Sequence, residues 1–139
     1  MLTSARSLDQ AAMARMGWEE TTPLERTLVK SQDQTYPARK TLPAAQSSFL
    51  NVDNPSVLLS AWKQAEDGAG TVMRFIELGG ARAPVSVSSP LLKDGTAAVC
   101  NAVEECGRPM PGMNRLGFSI APRQIYTVKM SNSGQYRPR

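Results

Sequence analysis

Residues 57–78 read VLLSAWKQAEDGAGTVMRFIEL and give the clearest structural signal in the chain. Two runs rich in Val, Leu, Met, Phe and Ile flank a polar segment that contains Glu66, Asp67 and a Gly-Ala-Gly sequence. Such β-forming runs on either side of a Gly-containing segment are typical of a hairpin. We therefore predict strands at 57–63 and 71–78, joined by a loop at 64–70.

Similar short runs continue on both sides of this hairpin, separated by Gly and Pro. They lie at 48–52, 82–88, 96–104, 116–120 and 124–130. About eight short strands at a spacing of roughly 8–12 residues indicate an all-β, antiparallel β-sandwich or barrel, and we predict the sandwich. Alternation along 57–63 places Trp62 on one face of its strand, and an aromatic in an apolar strand is expected in the core.

The N-terminal residues have a different pattern. Over 1–17 we predict either a tail or a short helix, with Ser7 as N-cap, Gln10 as capping-box partner and Gly17 as the end. The 139 residues fit one domain. We assign 18–130 to the β-sandwich and 131–139 to a C-terminal tail.

The composition excludes several kinds of active site. The chain has no His, so it cannot form a Ser-His-Asp triad, a Cys-His dyad or a zinc site with imidazole ligands. Two Cys are too few for a Cys-only zinc site. We therefore expect no catalytic residue, no metal ligand and no cofactor in this chain, and expect it to be inactive alone.

Charge and hydropathy suggest no nucleic-acid or membrane partner. Half of the net charge of +4 comes from Arg137 and Arg139 in the last nine residues, and the chain lacks the basic cluster that phosphate binding needs. No apolar run, such as that at 57–59, is longer than four residues, so no segment can span a membrane. The residues after Met1 do not resemble a signal peptide, and we predict a cytoplasmic location.

The two cysteines, Cys100 and Cys106, lie six positions apart. In a cytoplasmic protein the favoured interpretation is two reduced thiols. A disulfide would require their Cα atoms to lie within about 7 Å, so the pairing stays open at this point.

Adjacent carboxylates occur at 66–67 and 104–105, as well as at 19–20. Glu66 and Asp67 in the hairpin loop could bind sugar hydroxyls or a metal, although a solvated turn with Asp-Gly geometry is the simpler interpretation. Glu104 and Glu105 stand at the end of the predicted strand 96–104, and on a strand neighbours point to opposite faces, so we do not expect them to act as a pair.

Several runs together resemble the C-terminal β-rich region of glycoside hydrolase family 38, the α-mannosidases, over roughly residues 18–130. These runs are SFLNVD at 48–53, VLLSAWKQAEDGAG at 57–70, MRFIE at 73–77, NAVE at 101–104 and FSIAPRQIYTVK at 118–129. The family pattern there is a "SFL-x-V/I-D" strand, a "K-x-A/S-E-D-G-x-G" hairpin loop and a final strand pair.

The resemblance implies that catalysis takes place in a different domain from this one. Family 38 enzymes hydrolyse α-mannosides with retention, in an N-terminal domain that holds zinc through His and Asp and supplies an Asp nucleophile. The expected role of this chain is therefore a non-catalytic C-terminal domain of an enzyme of mannose metabolism. Its expected partners are the zinc-bearing catalytic α-mannosidase domain and the mannoside substrate at the cleft edge, with Glu66 and Asp67 as cleft or interdomain contacts. The alternative is a stand-alone carbohydrate-binding or protein-interaction module.

Overall fold

The computed structural model describes residues 9–25, 48–92, 95–110 and 115–132. These described residues form one α-helix, eight strands and one 3-10 helix at Pro90–Leu92. In chain order the helix and strands are α1 (Gln10–Thr21), β1 (Asn51–Val52), β2 (Val57–Gln64), β3 (Thr71–Glu77), β4 (Ala83–Ser88), β5 (Gly95–Cys100), β6 (Cys106–Met110), β7 (Arg115–Ile120) and β8 (Ile125–Asn132).

The strands form two antiparallel sheets. One has the order β1-β4-β7 and the other the order β2-β3-β8-β5-β6. The predicted antiparallel β-sandwich with about eight short strands is confirmed, and so is the β2–β3 hairpin. The division into 1–17, 18–130 and 131–139 stays a prediction.

The core lies between the two sheets. Met73 and Phe75 from the larger sheet are fully buried with Leu116 and Ile120 from the smaller one. The ring of Phe118 lies 5.3 Å from that of Phe75, measured between centroids. Apolar side chains at alternate strand positions thus supply the burial that holds the sheets together.

Trp62 does not belong to this core, and that part of the prediction is wrong. Its side chain is 41% exposed. It lies on β2, the outermost strand of its sheet, so it has a neighbouring strand on one side only. After a register shift between Leu59 and Ala61, Trp62 pairs with the buried Met73, so its side chain is on the core-facing side but at the open edge of the sheet.

Helix α1 begins and ends later than predicted. Its N-cap is Asp9, whose side chain accepts a hydrogen bond from the Ala12 N–H at 3.1 Å, whereas Ser7 lies outside the described residues. The helix continues through Gly17, because a glycine inside an exposed helix costs only about 1 kcal/mol relative to alanine. No residue of α1 is buried, and Arg15 attaches the helix to the carbonyl oxygens of Pro55 and Val57.

Cys100 and Cys106 form a disulfide, so the favoured prediction of two reduced thiols is wrong. The two residues pair directly across β5 and β6, with their Cα atoms 4.0 Å apart. The predicted strand at 96–104 is also too long, since β5 ends at Cys100 and a turn follows. The cytoplasmic location stays a prediction, and disulfides are more typical of oxidising compartments. Helix α1, the α-helix of the described residues, lacks the length and the apolar composition of a membrane span.

Candidate functional site

The predicted site residues Glu66 and Asp67 lie in the loop between β2 and β3. The loop is closed by two backbone hydrogen bonds, from the Ala65 N–H to the Gly70 carbonyl at 3.0 Å and from the Gly68 N–H to the Ala65 carbonyl at 2.9 Å. Gly68 and Gly70 have φ angles of 70° and 131°, which L side chains rarely adopt. The glycines predicted as turn residues are therefore required by the backbone of loop 64–70.

Asp67 is fixed on both of its carboxylate oxygens. Oδ1 accepts a hydrogen bond from the Ala69 N–H at 2.9 Å, and Oδ2 forms an ion pair with the Lys129 ammonium of β8. The hydrogen bond from Lys129 and then that from Ala69 hold the pKa of the Asp67 carboxyl below its ordinary value. The side chain of Asp67 is 58% exposed, whereas that of Lys129 is only 13% exposed. The carboxylate thus faces outward, with its cation beneath it.

Glu66 has a different partner. Its Oε1 lies 2.8 Å from the Nζ of Lys63, the residue three positions earlier on β2. The side chain is 77% exposed. Glu66 and Asp67 are therefore not a carboxylate pair that shares a proton or an ion, because each is bound to its own lysine.

Glu104 completes this cluster, and the sequence analysis missed it. Its Oε1 lies 2.7 Å from the Nζ of Lys63 and 3.5 Å from the guanidinium of Arg74, and its Oε2 accepts the Glu66 N–H at 2.8 Å. The side chain of Glu104 is only 5% exposed. Since the hydrogen bond from Lys63 favours the carboxylate most and that from the Glu66 N–H next, the pKa of Glu104 is lowered. The same contact with Glu104, followed by that with Glu66, raises the pKa of Lys63.

The turn at 101–105 explains why Glu104 was missed. Residues 104 and 105 do not continue β5 but belong to a turn, in which Asn101 Oδ1 accepts the N–H groups of Val103 and Glu105 at 3.1 and 3.0 Å. Glu104 has φ 66°, so its side chain points across the sheet instead of alternating with that of Glu105. Asn101 was the available signal, because Asn side chains often accept such hydrogen bonds at the start of a turn.

These charged residues cover the outer face of the larger sheet. Met73 and Phe75 of β3 point into the core, so Val72 and Arg74, which alternate with them along the strand, point outward. Lys63 and Lys129 pair with Val72 from the two neighbouring strands. Arg74 also donates to the Ala102 carbonyl at 2.7 Å. Three cations from three adjacent strands thus hold loop 64–70 and turn 101–105 against this face. We call these residues the outer-face cluster; they are Lys63, Glu66, Asp67, Arg74, Glu104 and Lys129.

A second carboxylate, Glu77 at the end of β3, is fully buried. It accepts backbone hydrogen bonds from Gly79 at 2.7 Å, Gly80 at 2.9 Å and Arg123 at 2.9 Å. Burial alone would raise the pKa of Glu77, but the backbone N–H groups together outweigh it and lower the pKa. Glu77 therefore connects the end of β3 to the β7–β8 turn and has its acceptor capacity filled by the backbone.

The described residues do not fit a metal ion. Among them no group of three or more Cys, Asp or Glu is placed to hold one. The carboxylates of the outer-face cluster are instead neutralised by lysine and arginine.

Comparison with known proteins gives the family. A search of curated proteins found no match. The family model for the glycosyl hydrolases family 38 C-terminal beta sandwich domain matches residues 56–128, which is more than half of the chain. The matched segment contains both loop 64–70 and turn 101–105. The chain therefore belongs to the family of glycosyl hydrolase family 38 C-terminal beta sandwich domains.

Proposed function

We propose that this chain is a non-catalytic β domain that packs on an α-mannosidase-like catalytic domain and forms part of the wall of its mannoside-binding cleft. Membership of the family implies association with a family 38 catalytic domain. In this proposal the zinc ion and the hydrolytic carboxylates belong to that catalytic domain, because the residues described here do not fit a metal.

The observation that carries the proposed contact is that Glu66 is held in place and yet exposed. Its backbone N–H is bound by Glu104 and its carboxylate by Lys63, yet the side chain is 77% exposed. A carboxylate held in one place on the surface loses little conformational entropy when it binds. We therefore assign Glu66 and its neighbour Asp67 to the contact with the catalytic domain.

The composition of this surface favours a protein partner with basic side chains. Glu66 and Asp67 point outward, while Lys63 and Lys129 beneath them are less exposed, so the surface presents negative charge. Val103, on the same turn as Glu104, adds an exposed apolar side chain. Carboxylates beside an apolar side chain suit a mixed protein interface with arginine or lysine opposite.

The test is association with a purified family 38 catalytic domain. We expect saturable binding by calorimetry and a change in the rate at which the catalytic domain hydrolyses a nitrophenyl α-mannoside. The double variant Glu66→Ala/Asp67→Ala should weaken binding by about tenfold or more, as is usual for charged interface residues. The matched control is Glu105→Ala, because Glu105 is also exposed but bonds to Asn101 within its own turn.

The outcomes separate the parts of the proposal. If the wild-type chain does not bind the catalytic domain, the packing role is wrong. If it binds and the double variant binds equally well, the assignment of loop 64–70 to the contact is wrong. Saturable binding of mannose oligosaccharides by the chain alone would instead favour the carbohydrate-binding module.

A further inference from the structure

Turn 101–105 is closed at its base by the Cys100–Cys106 disulfide. Just inside the disulfide, the Asn101 N–H donates to the Glu105 carbonyl at 3.0 Å, and the Glu104 N–H donates to the Asn101 carbonyl at 3.1 Å. The covalent link and the turn hydrogen bonds therefore act on the same few residues. The position of Glu104 depends on both.

Glu104 has an unfavourable backbone conformation. Its φ of 66° is uncommon for a residue with a side chain and persists only where neighbouring interactions hold it. Those interactions are the contacts of its carboxylate with Lys63 and the Glu66 N–H, together with the turn that the disulfide closes. Loss of the constraint at the base of the turn would let the Glu104 backbone relax and would withdraw the carboxylate from loop 64–70.

The sheet beneath the turn supports this coupling. Thr127 of β8 pairs with Cys100 on one side and with Arg74 on the other, and it is buried although it lies on the outer face. Arg74 in turn donates to the Ala102 carbonyl. The turn therefore lies back over β8 towards β3, which is what brings Glu104 within reach of β2.

We propose that the Cys100–Cys106 disulfide is a redox-sensitive clamp on loop 64–70, with Glu104 as the positioning residue that transmits it. When the disulfide is formed, the clamp holds the Glu66 N–H in its hydrogen bond with Glu104. When the disulfide is reduced, turn 101–105 is freed and the Glu66 N–H loses this hydrogen bond. The clamp is defined by contacts within this chain. Only the effect of a released loop 64–70 on docking to the catalytic domain rests on the proposed function.

The reducing step requires a dithiol. Its thiolate attacks the sulfur of Cys106, which is exposed, and the sulfur of the largely buried Cys100 leaves as a thiolate and takes up a proton. The second thiol of the reductant then attacks the mixed disulfide and releases Cys106 as a thiol. The chain gains two electrons and two protons, and the dithiol becomes a disulfide.

Amide hydrogen exchange on the full chain, with and without dithiothreitol, tests the clamp. We expect the Glu66 amide to exchange about tenfold faster or more after reduction, because its acceptor is withdrawn. Amides of the β4–β7 pair, on the other sheet, should keep their rates. Equal acceleration throughout both sheets, or an unchanged rate at Glu66, would overturn the proposal.

A variant cycle tests whether Glu104 is the relay, that is, the residue that transmits the state of the disulfide to loop 64–70. Glu104→Ala should accelerate exchange at Glu66 with the disulfide intact, and reduction should then add less than about twofold, because both changes remove the same hydrogen bond. Glu105→Gln keeps an acceptor oxygen for the Asn101 side chain, so it is the matched control and should respond to reduction as the wild type does. A full additional effect of reduction in Glu104→Ala would show that Glu104 is not the relay. No catalytic domain is present in these measurements, so their failure is distinct from failure of the proposed function.

Discussion

The ammonium of Lys63 lies 2.7 Å from Oε1 of Glu104 and 2.8 Å from Oε1 of Glu66. One cation on β2 is thus shared between a nearly buried carboxylate from turn 101–105 and an exposed carboxylate of loop 64–70. This sharing fixes two segments that are distant in sequence against each other on the outer face of the sheet.

The first prediction concerns the pKa of Lys63. The hydrogen bond with Glu104 is the largest cause of its elevation, so Glu104→Gln should move the pKa of Lys63 back towards its ordinary value of 10.5. NMR titration of the Lys63 side chain measures this. Glu105→Gln should leave the Lys63 titration as in the wild type. If Glu104→Gln did the same, Glu104 would not be the principal partner of Lys63.

The parts of the fold that could be predicted are those set by neighbouring residues. The β2–β3 hairpin depends on two apolar runs and on glycines at positive φ, and all of these are visible in the sequence. Trp62 was misplaced because its burial depends on the order of strands in the sheet, which the sequence does not state. Without that order, an apolar pattern cannot distinguish an edge strand from a central one.

The candidate site was predictable in part for the same reason. Glu66 and Asp67 were found because they follow an apolar strand directly and stand beside glycines. Glu104 was missed because its role depends on a positive φ and on the place where turn 101–105 lies, over a strand that is distant in sequence. The spacing of Cys100 and Cys106 could not decide whether they form a disulfide, since six positions allow both a closed turn and an extended strand.

A second prediction distinguishes the two glycines of loop 64–70. A Cβ on Gly70 would lie 2.0 Å from the carbonyl oxygen of Met130, at a φ of 131°. A Cβ on Gly68 would meet only Gln64, at 4.0 Å. Gly70→Ala should therefore lower the free energy of unfolding by about 3 kcal/mol or more, and Gly68→Ala by only about 1 kcal/mol. Urea unfolding monitored by Trp fluorescence gives both values. Equal losses would mean that Gly70 does not approach Met130 this closely.

A third prediction concerns the buried Glu77. Glu77→Gln replaces one acceptor oxygen with an NH₂ group that faces the N–H groups of Gly79, Gly80 and Arg123. An unsatisfied buried donor destabilises a fold, and the expected loss is about 2–4 kcal/mol. Chemical unfolding should report this loss, whereas the exposed Glu105→Gln should stay within about 0.5 kcal/mol of the wild type. A Glu77→Gln protein of wild-type stability would contradict the assigned contacts.

A fourth prediction gives the pH dependence of stability. The pKa values of Asp67, Glu77 and Glu104 are lowered in the folded protein from ordinary values of 3.8 for Asp and 4.5 for Glu. Below these ordinary values the unfolded chain binds more protons than the folded one, so the free energy of unfolding falls as the pH falls. The contribution should be complete above about pH 5 and be lost progressively as the pH drops through the folded-state pKa values.

Urea unfolding at a series of pH values between 7 and 3 measures this slope. Glu77→Gln removes one of the three titrating groups, so its stability should decline less steeply below about pH 4.5 than that of the wild type. The two curves should therefore converge as the pH falls, because the wild type loses the advantage of an ionised Glu77 that the variant never had. Parallel curves over this range would mean that Glu77 keeps its ordinary pKa and that its backbone hydrogen bonds do not favour the carboxylate.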